Sequence, residues 1–109
     1  MILWLDDVRE PWKHGYINAT WVKTAQEAIE LLSTGKVQLA SLDHDLEDGH
    51  YPWQYTDISK LERTGYDVVL WLESHPEFLP QTVLVHSANP EGRARMLEVL
   101  GRLGRVGAR

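Results

Sequence analysis

The sequence contains no cysteine. That excludes a disulfide framework and any thiolate metal site, leaving carboxylates and imidazoles as the side chains able to hold an ion. No apolar run approaches the ~18 residues of a membrane-spanning helix. No basic region precedes the first apolar residues, so no signal peptide is expected. Positive charge is also scarce: 11 lysines and arginines face 16 acids, for a formal net charge of −5. A long nucleic-acid duplex, held by neutralising many phosphates, suits that balance poorly. A small phosphorylated ligand gripped by a few local arginines is not excluded by it. Internal repeats and low-complexity segments are absent as well. The 109 residues are enough for one domain with a single core. The expectation is a cytoplasmic single domain spanning 1–109.

What the chain does have is one pattern used three times. Ile2-Leu3-Trp4-Leu5 runs into Asp6-Asp7-Val8-Arg9. Val37-Gln38-Leu39-Ala40-Ser41-Leu42 runs into Asp43-His44-Asp45-Leu46. Thr82-Val83-Leu84-Val85 runs into His86-Ser87-Ala88-Asn89. Short apolar runs bounded by turn residues suit buried strands, although periodicity alone does not exclude a short helix. Thr20-Trp21-Val22 is a weaker strand. Between the first two strands, Pro11 and Gly15 interrupt any helical period, so that stretch reads as loop.

Helices are expected between the later strands. Thr24-Ala25-Gln26-Glu27 is a capping box, in which the Thr24 hydroxyl accepts from the Glu27 amide and the Glu27 side chain returns to the Thr24 amide. Ala25, Ala28, Ile29 and Leu32 follow on one face, and Gly35 is placed to end the helix. Thr64 caps a second helix whose apolar face is Val68, Trp71 and Leu72, ending before Pro76. Asn89-Pro90-Glu91 starts a third, lined by Met96, Leu97, Leu100 and Leu103. Val106 is too little for a confident last strand. Alternating strands and helices imply right-handed crossovers and a small doubly wound parallel α/β sheet. Residues 46–63 have no period and read as an inserted loop.

In an open parallel sheet, ligands bind beyond the carboxyl ends of the strands. With strand order 2-1-3-4, Asp6, Asp7 and Asp43 meet at the switch point. Carboxylates so close repel one another unless a cation intervenes, and Mg²⁺ or another hard divalent cation is the natural partner. The duller reading is that Asp6 and Asp7 only cap a turn. His44 and His86 end adjacent strands and are candidates for general acid and base, because imidazole titrates near neutrality. His14, His50 and His75 lack that context, and His75 reads as a solvated helix end. Ser87, Asn89 and Arg93 surround a helix start, where free amides favour phosphate. Arg9 is a second phosphate candidate. Tyr51, Trp53 and Tyr55 could stack a nucleobase or pin the loop to its own domain.

Together these pieces resemble the cyclic-phosphate processing receiver-like family, a divergent branch of the receiver domains of two-component signalling. The matching elements are Leu5-Asp6-Asp7-Val8-Arg9 with Pro11, Thr24 with Glu27-Ala28, Ser41-Leu42-Asp43-His44-Asp45-Leu46, Thr64-Gly65, and His86-Ser87-Ala88-Asn89-Pro90 with Arg93. The resemblance implies a receiver-like, flavodoxin-like sheet whose phospho-acceptor pocket has gained histidines. It also implies action on cyclic phosphates, such as RNA 2′,3′-cyclic ends or cyclic nucleotides. The chain departs from ordinary receivers in three ways. It has no lysine beyond Lys60 to serve the phosphoryl group, no clear first helix, and a tail short for a normal last strand and helix.

Three functions follow as expectations. The first is a metal-assisted cyclic phosphodiesterase, with Asp6, Asp7 and Asp43 on the ion and His44 and His86, together with Asp43, in catalysis. The second is a module that binds or sequesters a cyclic or modified nucleotide without turnover. The third is a degenerate phospho-receiver, which the missing lysine disfavours. The expected partner is a small nucleotide or RNA end, with no membrane involved.

Overall fold

A computed structural model describes residues 1–44 and 64–104 in full, and the backbone alone of 106–108. The strands are β1 (Ile2–Leu5), β2 (Ala19–Val22), β3 (Leu39–Leu42), β4 (Thr82–Val85) and β5 (Val106–Ala108). The helices are α1 (Ala25–Leu32), α2 (Gly65–Ser74) and α3 (Pro90–Leu103). The sheet is parallel throughout in the order β2-β1-β3-β4-β5. The expected 2-1-3-4 arrangement is therefore present. No described helix is long and apolar enough to cross a membrane.

Register is what positions the site. Leu5 lies level with Leu42, and Leu42 with Val85. The next residues, Asp6, Asp43 and His86, consequently leave the sheet side by side. Their amides extend the ladder: Asp6 donates to the Val22 carbonyl at 3.1 Å, Asp43 to Leu5 at 3.0 Å and His86 to Leu42 at 3.1 Å. Each of these backbones is still fixed by the sheet at the residue whose side chain is a candidate for function.

The central strands are buried almost continuously, as expected for a parallel sheet covered on both faces. Leu3, Leu5, Ala28, Leu32, Leu42, Val68, Leu72, Val83, Val85, Met96 and Leu100 are fully excluded from solvent. Each large aliphatic side chain among them stabilises the fold by roughly 1.5–3 kcal/mol. In α2 the core position falls to Val69, whereas Trp71 is only partly buried. Trp71 stacks on His75 and Phe78 at the rim, with ring centroids 4.4 and 5.7 Å away. His75 is therefore not simply a solvated helix end; its Nδ1 also lies 2.9 Å from the Trp71 carbonyl.

The caps form with one change of partner. The Thr24 hydroxyl accepts from the Glu27 amide at 3.1 Å, but the Glu27 carboxylate reaches the Lys23 amide at 3.2 Å and the Thr24 hydroxyl, not the Thr24 amide. Gly35 adopts φ 74°, the left-handed conformation expected of it. Thr64 accepts from the Tyr66 amide, and Asp67 returns to the Thr64 amide at 2.6 Å. Between β1 and β2 the described chain makes only a 3-10 turn, Pro11–His14, closed by Gly15 at φ 90°. The reading of the tail needs correction: residues 106–108 do form a strand, paired with β4. Its composition, one valine with glycine and alanine, carries little strand propensity. The open edge of β4 supplies the hydrogen bonds that propensity does not.

Candidate functional site

Asp6 organises the site. It is 1% exposed, and its carboxylate accepts four contacts. Oδ1 takes the amides of Val8 and Arg9, both at 2.8 Å. Oδ2 takes His86 Nε2 at 3.0 Å and Arg9 Nη1 at 3.2 Å. The turn-capping contacts thus fall on one oxygen, Oδ1, and the contacts to the other candidate site residues on Oδ2. Burial alone would raise its pKa. The His86 hydrogen bond, the two amides and the charge of His86 outweigh that and hold it at about 2.

Asp43 is also buried, at 5% exposure, and its Oδ1 accepts the His44 amide at 2.8 Å. Its pKa is raised, first by burial and then by the negative charge of Asp6, against the opposing pull of His86 and Arg9. Arg9 Nη1 lies 3.6 Å from Asp43 Oδ2, so one guanidinium nitrogen faces two acids. Asp6, Asp7 and Asp43 offer oxygens that all lie within 4.8 Å of one another. The sequence expected these three to meet, and they do.

His86 is fixed on three sides. Besides Asp6 at Nε2, its Nδ1 lies 2.7 Å from the Ser41 hydroxyl, and its ring stacks on Trp4 at 4.0 Å and 5°. Its side chain is 9% exposed. Ser41, His86 and Asp6 form a hydrogen-bonded chain of the kind used in nucleophilic catalysis. Ser41, however, is fully buried within β3 and has no route to a substrate. Its hydroxyl instead anchors the His86 imidazole at Nδ1.

His44 lies against α3. A methyl group on Gly92 would overlap the His44 ring, so this imidazole packs on bare helix backbone. Gly65 is equally constrained by the Asp43 carbonyl, which a side chain there would strike. The Gly65 amide donates to the His44 carbonyl at 3.0 Å, tying the start of α2 to the end of β3.

Beside the acids is a pocket of about 250 Å³ lined by Trp4, Arg9, His14, His86, Ser87 and Ala88. Trp4 forms one wall, with its indole nitrogen donating to the Arg9 carbonyl at 2.8 Å. His14 stacks on Trp4 at 5.4 Å and so joins the site, contrary to the expectation that it lacks context. Its context comes from the 3-10 turn, which sequence periodicity does not reveal. Ser41 and Trp4 were also not singled out. Ser41 had a signal, since a polar residue inside a buried strand must find a partner.

Of the phosphate candidates, Arg9 and Ser87 line the pocket, whereas Asn89 and Arg93 lie at the start of α3. Ser87 lines the pocket, and its hydroxyl accepts the Asn89 amide at 3.0 Å. The Asn89 side chain caps α3 by accepting from Gly92 at 3.1 Å. Arg93 Nε is buried with no hydrogen-bond partner among the described residues. Arg9 lines the pocket while paired to the acids. Asp45, Tyr51, Trp53 and Tyr55, together with the proposed insertion at 46–63, lie outside the described residues.

The model of one family, described as the cyclic-phosphate processing receiver domain, matches residues 1–102. Among solved structures, the fold is similar to the signal receiver domain of a protein described as a Luxo repressor from Vibrio parahaemolyticus. The TM-score is 0.61 at 19% identity, over 98% of this chain and 74% of that one. That likeness concerns the fold alone. No curated protein matches the chain.

Proposed function

Because the chain belongs to the cyclic-phosphate processing receiver domain family, we propose that it opens a cyclic phosphate by metal-assisted hydrolysis at the carboxyl ends of its strands. The observation that carries the reading is three carboxylates within 4.8 Å, beside a pocket lined by Arg9, His86 and Ser87. The donor set is all hard oxygen, which fits Mg²⁺ or a similar divalent cation, and Asp6, Asp7 and Asp43 would hold it. When bound, such an ion neutralises charge on the phosphate and lowers the pKa of its water.

The protein's own groups do the rest. Arg9, Ser87, the amides at the start of α3 and Arg93 hold the phosphate oxygens and stabilise the charge that grows on them. His86 lines the pocket; as imidazolium it would share its Nε2–H between Asp6 Oδ2 and the departing 2′ or 3′ oxygen and pass that proton to the oxygen, leaving a neutral ring with Nδ1–H on the Ser41 hydroxyl. His44 accepts the proton from the attacking water. Ser41 and Trp4 hold His86 in the orientation this transfer needs. The substrate is a cyclic nucleotide or an RNA 2′,3′-cyclic end, with Tyr51, Trp53 and Tyr55 as candidates to stack its base.

The test is incubation with a panel of cyclic phosphates, with and without EDTA, followed by product analysis. A single ring-opened isomer, formed only with metal, is expected. Tight binding with substrate recovered unchanged at every pH and metal tested would replace the enzyme with a sequestering module.

A further inference from the structure

Asp6 cannot take a metal ion without first losing something. A carboxylate has about four acceptor positions. All four on Asp6 are used, by the amides of Val8 and Arg9, by His86 Nε2 and by Arg9 Nη1. The two amides belong to the turn that leaves β1. His86 is held by Ser41 and by the Trp4 ring and is only 9% exposed. The Arg9 side chain is the exception. It is 36% exposed and makes the longest of the four contacts, and the pocket lies open beside it.

We propose that Arg9 is a resident counter-ion, which a divalent cation displaces from Asp6 and Asp43 into the phosphate pocket. Before the ion arrives, the guanidinium offsets the repulsion between two buried carboxylates. When the ion takes over that task, the same guanidinium is released a few ångströms away, where an anion needs it. Metal and phosphate sites are then coupled through one side chain, and each ligand favours the other's binding. Arginine suits the role because it stays charged in both positions and its planar fork matches phosphate as well as carboxylate. The inference rests on the metal reading above and adds to it an order of events.

Calorimetric titration of Mg²⁺ and of Mn²⁺ into the full chain tests it, using wild type, Arg9→Ala and Arg9→Lys. Removing the competitor should tighten ion binding roughly 3- to 10-fold, the scale of one partly exposed opposing charge set between two acids. Arg9→Lys keeps the charge and should stay close to wild type. In wild type, the ¹⁵N side-chain resonance of Arg9 should shift with the same midpoint as the metal titration. This second readout holds even if Arg9→Ala fails to fold. If wild type binds the ion but Arg9→Ala binds it equally or more weakly, or the Arg9 resonance does not move, Arg9 is a fixed clamp and the displacement is wrong. If no variant binds either ion, the metal reading falls and takes this inference with it.

Discussion

At the scale of single residues, two glycines set the position of the candidate catalytic groups. A side chain at Gly65 would meet the backbone carbonyl of Asp43, and backbone held in a sheet ladder cannot yield. Gly65→Ala should therefore cost about 1–3 kcal/mol, the range for overpacking, read as a lower melting temperature. The nearest atoms that a side chain at Gly92 would meet belong to the His44 ring, a side chain and not backbone. There, alanine gains helix propensity of up to about 1 kcal/mol, offsetting the contact. Gly92→Ala should melt near wild type yet turn over poorly, because its imidazole is displaced. Equal losses of stability and turnover in Gly92→Ala would show that the ring has only a packing role. His86→Ala and His44→Ala should each lower turnover by roughly 10²–10⁴, with much smaller losses of affinity. Their responses to leaving group should differ. An activated aryl phosphodiester needs no acid, so it should largely restore His86→Ala and leave His44→Ala impaired. Rescue of the opposite variant would reverse the two assignments.

At the scale of elements, strand and helix order was legible because each carries a strong local signal. β-branched runs mark β4, and Asn89-Pro90 marks α3. Asn89→Ala should cost about 1 kcal/mol through loss of the cap, measurable by denaturant unfolding. It should also weaken anion binding if the α3 amides form part of the cradle. The meeting of Asp6, Asp7 and Asp43 was legible too, because strand-end position plus strand order is enough to bring them together. What stayed hidden depends on side chains crossing between elements. Arg9 turning back on Asp6 and Asp43, Ser41 reaching His86 across β3 and β4, and His14 stacking on Trp4 have no period or motif in the chain. β5 was hidden for a related reason, since the edge of β4, and not its own composition, makes it a strand. His75 and Trp71 show the same limit: spacing put Trp71 on the core face, whereas its size and its stacking partners hold it at the rim.

At the scale of the whole molecule, the site is a charge problem that the fold only partly solves. The pKa of Asp6 is depressed from 3.8 to about 2, so its ionised form stabilises the native state. That contribution, about 2 kcal/mol, is complete above the ordinary value and is lost as the pH falls toward 2. The pKa of Asp43 moves the other way. Its ionisation costs stability at neutral pH, and the cost is relieved as the pH falls through its raised pKa. Asp43→Asn should therefore raise the melting temperature at pH 7, since the amide oxygen can still accept from the His44 amide. That gain should vanish well below pH 3.8, where the wild-type acid is itself neutral in both states. Asp6→Asn should do the reverse, with a loss at pH 7 that shrinks toward pH 2. A divalent cation adds a further condition. Binding only the native state, it stabilises wild type by about 2.7 kcal/mol at 100 times its dissociation constant. Asp43→Asn, lacking one ligand, should respond far less, so the advantage it holds without metal should narrow and then invert as Mg²⁺ rises. Thermal melts at pH 7 across a Mg²⁺ series measure this directly. If the two melting temperatures stay parallel at all Mg²⁺ concentrations, Asp43 does not hold the ion. The strain at Asp43 would then have to serve some other ligand of the pocket.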